Sequence, residues 1–228
     1  MRSPDVLYED NHLIAVNKPA GLLVQGDETG DVTLSDKVKA YIAAHYNKPG
    51  AVFLGTVHRI DRPVSGVVVF ARTSKALTRM NELFRMRDIT KRYVAIVAGR
   101  PTVPEQNLVH WLTKNEGANR ATAYKKEMAG ALRCELHYRL ISSEGGYSLL
   151  EVLPLTGRSH QIRCQLAAIG LPIAGDLKYG ASEPMSDKSI CLHARSLSFI
   201  HPVSKVPLTI TAPVPPLVIW HATGADVT

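Results

Sequence analysis

One carboxylate surrounded by cations is the clearest candidate for chemistry in this sequence. Asp61 lies between Arg59 and Arg62, with His58 just before them. Neighbouring cations favour the ionised form of a carboxylate, so Asp61 could act as an anionic nucleophile or as a fixed charge partner. A structural ion pair with Arg59 or Arg62 is the alternative, because ion-pair networks also cluster charges.

The residues after Asp61 predict how the chain positions it. Residues 67–71 are β-branched, aromatic or small, and they predict a short, fully buried strand. Pro63 and Gly66 predict a bent loop before that strand. We therefore expect Asp61 on a stiff turn that leads into the core.

A second polar segment opens a predicted strand over residues 90–99. Lys91 and Arg92 give this strand a basic start, and Tyr93 leads into its apolar body. An ordinary sheet aromatic is the alternative interpretation of Tyr93.

A third polar segment, residues 156–170, predicts a helix that Thr156 or Ser159 caps and that ends at Gly170. Arg163 lies one position from the apolar stripe of this helix, so we expect it at the edge of a core. A guanidinium in that position needs an anionic partner, and Asp61 is a candidate.

The remaining patterns indicate an α+β fold. A capping box at residues 33–36 predicts one helix, and an apolar stripe predicts a second over residues 73–87. Most other periodic segments are short strands, with Gly145 and Gly146 forming a hairpin turn. Because regular βαβ alternation is missing, we predict a mixed, mostly antiparallel central sheet with flanking helices. We expect one domain over residues 1–228, with a core at about 6–212 and an extended tail at 213–228.

Composition narrows the class of function. The chain has 228 residues, of which 45% are hydrophobic and 21% are charged, and its net charge is +7. This excess of cations favours a polyanionic partner. No apolar run is long enough to span a bilayer and the N-terminus has no signal-peptide pattern, so we expect a cytoplasmic protein without membrane association.

Cofactor motifs are not found in the sequence. Its three cysteines, Cys134, Cys164 and Cys191, are widely spaced, and its histidines form no HExxH pair. Neither a GxGxxG nor a Walker A motif occurs. We therefore expect no metal, disulfide framework or nucleotide cofactor.

Four motifs, found in the same order, resemble those of the RluA-type pseudouridine synthases. Residues 16–21 resemble the N-terminal signature of that family, and residues 58–67 resemble its catalytic-Asp motif. Residues 91–95 resemble its tyrosine motif, and residues 157–163 with 170–176 resemble its third motif. The resemblance runs from residue 7 to about residue 208. The chain starts close to the matching region, so we expect no S4-type RNA-binding domain.

The resemblance implies isomerisation of specific uridines in ribosomal or transfer RNA to pseudouridine, without a cofactor. Asp61 would be the nucleophile or the residue that forms a covalent intermediate, and Arg163 would pair with it. A glycal route and Michael addition at C6 both stay open, since both use one Asp. Tyr93 would lie against the base and act as general base, and Arg59 would enter the RNA stack in place of a flipped uridine. The implied fold has a central catalytic cleft, and we expect a monomer. The other candidates for RNA binding and base flipping are His58, Arg62, Lys91, Arg92 and Arg158.

Two other functions fit part of the pattern. A non-catalytic RNA-binding module of the same fold would not need Asp61, Tyr93 and Arg163 together. A hydrolase that uses Asp61 would need a second carboxylate as general acid, and the motifs offer only Asp176, which a turn explains.

Overall fold

The computed structural model describes residues 3–26 and 30–225. Within these residues the chain forms eleven strands, which are β1 (Asp5–Glu9), β2 (Leu13–Lys18), β3 (Gly55–Thr56), β4 (Ser65–Ala71), β5 (Thr90–Ala98), β6 (Glu105–Asn115), β7 (Arg120–Tyr124), β8 (Leu132–Glu144), β9 (Tyr147–Pro154), β10 (Leu192–Ile200) and β11 (Pro207–Thr211). The four α-helices in the same residues are α1 (Leu34–His45), α2 (Ser74–Met86), α3 (Gln161–Ala168) and α4 (Val218–Ala222). A 3₁₀ turn covers Leu177–Tyr179.

The chain divides into two compact units. The first comprises Met1–Thr90 and Ala194–Pro213, and the second comprises Lys91–His193 and Val214–Thr228. The interpretation of residues 1–228 as one catalytic domain stays a prediction.

The first unit contains β1 to β4, α1, α2, β11 and most of β10. Strand β2 pairs antiparallel with both β1 and β4, and β10 pairs antiparallel with β11. Every residue of β4 is buried, as the apolar run predicts. Helix α2 packs Ala76 and Met80 into the apolar core beside β4. Helix α1 begins with the predicted capping box, in which Thr33 and Asp36 satisfy each other's main-chain N–H groups.

The second unit contains antiparallel strands in the spatial order β5, β9, β8, β6, β7. The predicted turn at Gly145 and Gly146 joins β8 to β9, and both glycines have positive φ. Helix α3 packs over β6 and β7, where its Cys164 joins Leu112 and Ala121 in an apolar cluster. This packing fixes the position of α3, which carries Arg163.

These elements confirm an α+β fold with a large, mostly antiparallel sheet and few helices, while the central cleft stays a prediction. The extended tail was wrong for residues 218–222, which form α4, because the buried Trp220 packs against His193 at a ring-centroid distance of 6.1 Å. Residues 226–228 lie outside the described residues. No helix in the described residues is long and apolar enough to cross a membrane.

Candidate active site

Asp61 lies in a tight turn directly before β4. Its carbonyl accepts a hydrogen bond from the N–H of Val64 at 3.1 Å. Ile60 and Val64 on either side are buried, Asp61 is half-buried, and Arg59 is exposed. The turn is thus anchored through apolar side chains and leads into the core, as the sequence predicts, and Asp61 within it is half-buried.

Lys18, the last residue of β2, fixes the same turn from inside the first unit. Its side chain is fully buried, and its Nζ donates hydrogen bonds to the carbonyls of Pro19, Leu22 and Arg62 at 3.0, 2.7 and 3.1 Å. The last of these contacts holds the main chain one residue after Asp61. The N–H of Gly21 donates to the same Arg62 carbonyl at 2.8 Å.

Burial sets the protonation of Lys18. Desolvation lowers the pKa of its ammonium group to about 7, although the nearby Asp61 carboxylate opposes this shift. The three carbonyl acceptors match the three donors of the protonated form. Lys18 therefore titrates near neutrality in the folded protein and near 10.5 in the unfolded chain.

The difference between the folded and unfolded pKa of Lys18 predicts that the stability of the fold depends on pH. The folded pKa lies below the unfolded one, so between about pH 7 and 10.5 the unfolded chain binds more protons, and raising the pH stabilises the fold. From pH 7 to pH 9 the free energy of unfolding should rise by about 2 kcal/mol more in the natural chain than in Lys18→Met. Urea denaturation at both pH values measures this, with Lys39→Met, on the exposed side of α1, as the control. Parallel changes in the natural chain and Lys18→Met would contradict it.

Arg62 turns toward the N-terminal loop. Its Nε donates to the carbonyl of Gly21 at 3.0 Å, and its Nη2 lies 3.0 Å from Oδ2 of Asp31 in a half-exposed ion pair. Arg62 thus forms an ion pair with Asp31, while the local ion pair with Asp61 that we considered stays a prediction. Part of this loop, residues 27–29, lies outside the described residues.

His58 faces the sheet of the first unit. Its Nε2 accepts a hydrogen bond from the N–H of Val69 in β4 at 3.0 Å, which requires the tautomer with a lone pair on Nε2. Its ring stacks on Phe84 of α2 with 5.0 Å between the ring centroids. This arrangement braces the segment that leads to Asp61, whereas the RNA contact of His58 stays a prediction.

The tyrosine motif occupies the start of β5 in the second unit. Tyr93 is half-buried and lies opposite Val152 of β9. Lys91 donates to the carbonyl of Thr156 at 3.3 Å, and Arg92 forms a salt bridge with Glu151. Lys91 therefore links the tyrosine motif to the residue just before the third motif.

The carboxylate of Glu151 forms salt bridges with two arginines, Arg92 and Arg139. Burial opposes ionisation of its carboxyl, but hydrogen bonds from Arg92 and Arg139 outweigh that effect and lower its pKa. The guanidinium of Arg92 is thus held on the sheet, and its proposed RNA contact would have to compete with Glu151.

The third motif is organised by Gln161, the first residue of α3. Its Oε1 accepts hydrogen bonds from the Thr156 hydroxyl and the Arg158 N–H at 2.7 and 3.0 Å, and its Nε2 donates to the Glu135 carbonyl at 3.0 Å. The predicted cap by Thr156 or Ser159 was wrong, because the residue before the helix is His160, in a left-handed conformation without a side-chain cap. Arg158 is exposed, as a contact to RNA would require.

Arg163 is buried, as its place on α3 predicts. Its Nε and Nη2 donate to Oδ2 and Oδ1 of Asp176 at 2.7 and 2.9 Å, and the two side chains are 6% and 1% exposed. For Asp176 the sequence pattern predicts only a place in a turn. The pairing of Arg163 with Asp61 stays a prediction.

The predicted site residues thus divide between the two units. The first unit carries His58, Arg59, Asp61 and Arg62 on one short loop, and the second carries Lys91, Arg92, Tyr93, Arg158 and Arg163. The residues that sequence reasoning missed are Lys18, Gln161 and Asp176, all of which lie within the four motifs. Their burial is the property that the motifs alone do not reveal.

Residues 12–168 match the family model described as RNA pseudouridylate synthase. The chain belongs to this family, which confirms the RluA-type resemblance.

The similar curated proteins carry pseudouridine synthase names. The chain is 36% identical to "Ribosomal large subunit pseudouridine synthase D" of Xanthomonas campestris, over 92% of this chain and 66% of that protein. It is 32% identical to "tRNA pseudouridine synthase C" of Vibrio cholerae, over 91% of this chain and 90% of that protein. The chain therefore spans slightly under two thirds of the length of the first of these relatives.

Two solved structures show the same fold. "Human RNA Pseudouridylate Synthase Domain Containing 4" superposes with a TM-score of 0.79 at 24% identity, covering 96% of this chain and 93% of that one. "Human RNA Pseudouridylate Synthase Domain Containing 1" gives a TM-score of 0.76 at 23% identity, covering 97% of this chain and 87% of that one.

Proposed function

We propose that this chain isomerises specific uridines in ribosomal or transfer RNA to pseudouridine. The N1–C1′ bond of the nucleotide breaks, the uracil turns while it is bound, and C5 forms the new bond to C1′. The proton on C5 leaves and N1 gains one, so the reaction consumes neither water nor a redox partner. The carboxylate of Asp61 is the nucleophile that adds to C6 of the uracil in the Michael route. In the glycal route the same carboxylate would instead be the base that removes the C2′ proton and later returns it.

The observation that carries this proposal is the turn that holds Asp61. A nucleophile needs a fixed main chain and an accessible carboxylate. The buried Lys18 fixes the main chain after Asp61, and Asp61 itself is half-buried.

The other proposed roles follow from the motifs. Tyr93 contacts the base and accepts the C5 proton, and Arg163 pairs with Asp61. A uridine within structured RNA must be extruded at a cost of a few kcal/mol. The exposed Arg59 fills the vacated place in the stack, and the candidate contacts to the RNA backbone are His58, Arg62, Lys91, Arg92 and Arg158.

The names of the relatives support RNA as the substrate class, since one name refers to the ribosomal large subunit and another to tRNA. The net charge of +7 agrees with a polyanionic partner. We also propose that the chain works as a monomer in the cytoplasm.

Tritium release tests the proposal directly. Incubating the purified chain with [5-³H]uridine-labelled ribosomal or transfer RNA should release tritium into water, and nucleoside analysis should show pseudouridine. Binding of these RNAs without tritium release would overturn the proposal and favour the non-catalytic RNA-binding module. Release of free uracil would favour the hydrolase.

A further inference from the structure

The guanidinium of Arg163 is held along one edge. A guanidinium has five N–H donors in a planar fork, and Asp176 engages the Nε and Nη2 edge in a bidentate pair. The remaining N–H bonds of Arg163 then point away from Asp176. The direction of these donors is thus set by where Asp176 lies.

Tyr179 holds the face of the same guanidinium. The centre of the Arg163 guanidinium lies 5.0 Å from the centroid of the Tyr179 ring. The Tyr179 hydroxyl accepts a hydrogen bond from the N–H of Ala121 in β7 at 2.8 Å and lies 2.8 Å from Nδ1 of His160. Since both the ring and its hydroxyl are fixed, Arg163 cannot rotate out of the plane of its pair with Asp176.

The turn that carries Asp176 and Tyr179 is itself anchored to β5. The N–H of Ala174 donates to the carbonyl of Ile96 at 2.9 Å, and Val97 forms a bridge with Ile173. Strand β5 begins with the segment that contains Tyr93. The turn that holds Arg163 is therefore connected, within the second unit, to the strand that carries Tyr93.

We propose that Asp176 and Tyr179 are positioning residues that orient the guanidinium of Arg163 for the isomerisation. This inference rests on the proposed function, because it takes Arg163 as the partner of the nucleophile. Asp176 sets the in-plane direction of the guanidinium and Tyr179 sets its tilt. Neither residue touches the RNA.

The kinetics of Asp176→Asn test the proposal that Asp176 sets the in-plane direction of the guanidinium. The amide keeps the shape of the carboxylate but places an N–H₂ group against a guanidinium N–H, so the bidentate pair is lost. We expect kcat to fall about 10- to 100-fold with the KM for RNA within about threefold. Glu116→Gln, which removes an exposed partner of Lys114, should leave both constants unchanged.

Two substitutions at Tyr179 test the proposal that this residue sets the tilt of the guanidinium. They also provide a test if Asp176→Asn fails to fold. Tyr179→Leu removes the ring under Arg163 and should lower kcat about tenfold. Tyr179→Phe keeps the ring and should recover most of that loss. Wild-type kcat in Asp176→Asn and in Tyr179→Leu would overturn the proposal.

A double-mutant cycle separates positioning from a purely structural role. Lysine at position 163 cannot form a bidentate pair, so Asp176→Asn should change kcat less than about threefold in the Arg163→Lys background. Equal losses in both backgrounds, or wild-type activity of Arg163→Lys alone, would refute the inference. Failure of the proposed function gives a different result, namely no tritium release by the natural chain.

Discussion

Replacing Asp61 with asparagine should abolish pseudouridine formation while leaving the fold intact. The main-chain carbonyl of Asp61 closes the turn by accepting the Val64 N–H, and the substitution keeps this hydrogen bond. An amide is not a nucleophile of comparable strength, so we expect tritium release to fall by at least about 10⁴-fold. RNA affinity should stay within about tenfold, because the cationic contacts remain.

A matched variant controls for the loss of one negative charge. Asp88→Asn removes an exposed carboxylate just after α2, in the same unit, and should keep full activity. Tritium release and filter binding on one RNA preparation measure both variants. Activity within tenfold of the natural chain in Asp61→Asn would exclude this carboxylate as the nucleophile.

Local patterns predict much of this fold because they depend on neighbouring residues alone. The capping box of α1 needs only Thr33 and Asp36, and the glycine pair between β8 and β9 needs only its own φ angles. The apolar run in β4 marks burial on both faces. Each of these predictions is confirmed.

Strand β6 shows where alternation misleads. Its buried face consists of Leu108, His110 and Leu112. Because histidine is polar, the sequence does not show the alternation of apolar and polar residues that predicts a half-buried strand. His110 is buried because Nε2 of Gln165, on α3, reaches its Nδ1 at 3.1 Å. A side chain 55 residues away thus decides the burial of a strand position, and no window of sequence contains that information.

The candidate site shows the same limit. A lysine between asparagine and proline, as at Lys18, has the pattern of an exposed loop, yet its Nζ is enclosed by three carbonyls. Asp176 looks like a turn residue until α3 brings Arg163 against it. The candidates for chemistry can be named from motif and charge, whereas the residues that hold them in place depend on tertiary contacts.

The largest expected effect on stability is that of Gly66→Ala, at the start of the strand that follows Asp61. Gly66 has a φ of +116°, and a Cβ there would lie 2.3 Å from the carbonyl oxygen of Ala194 and 2.6 Å from its nitrogen. Both atoms belong to the main chain of β10, so neither can move without separating the strands. We expect a loss on the order of 4 kcal/mol or more, a large part of the roughly 5–15 kcal/mol that stabilise a typical domain.

Gly99→Ala is the matched control, since Gly99 also has a positive φ, of +80°, but a Cβ there would meet nothing within 4 Å. Backbone strain alone should cost it about 1–3 kcal/mol. Thermal unfolding should therefore shift Tm by more than about 10 °C in Gly66→Ala and by clearly less in Gly99→Ala. Loss of soluble protein in Gly66→Ala alone would be the stronger form of the same result. Equal shifts in the two variants would show that β4 and β10 can separate at this point, and that close strand packing does not fix the end of the Asp61 turn.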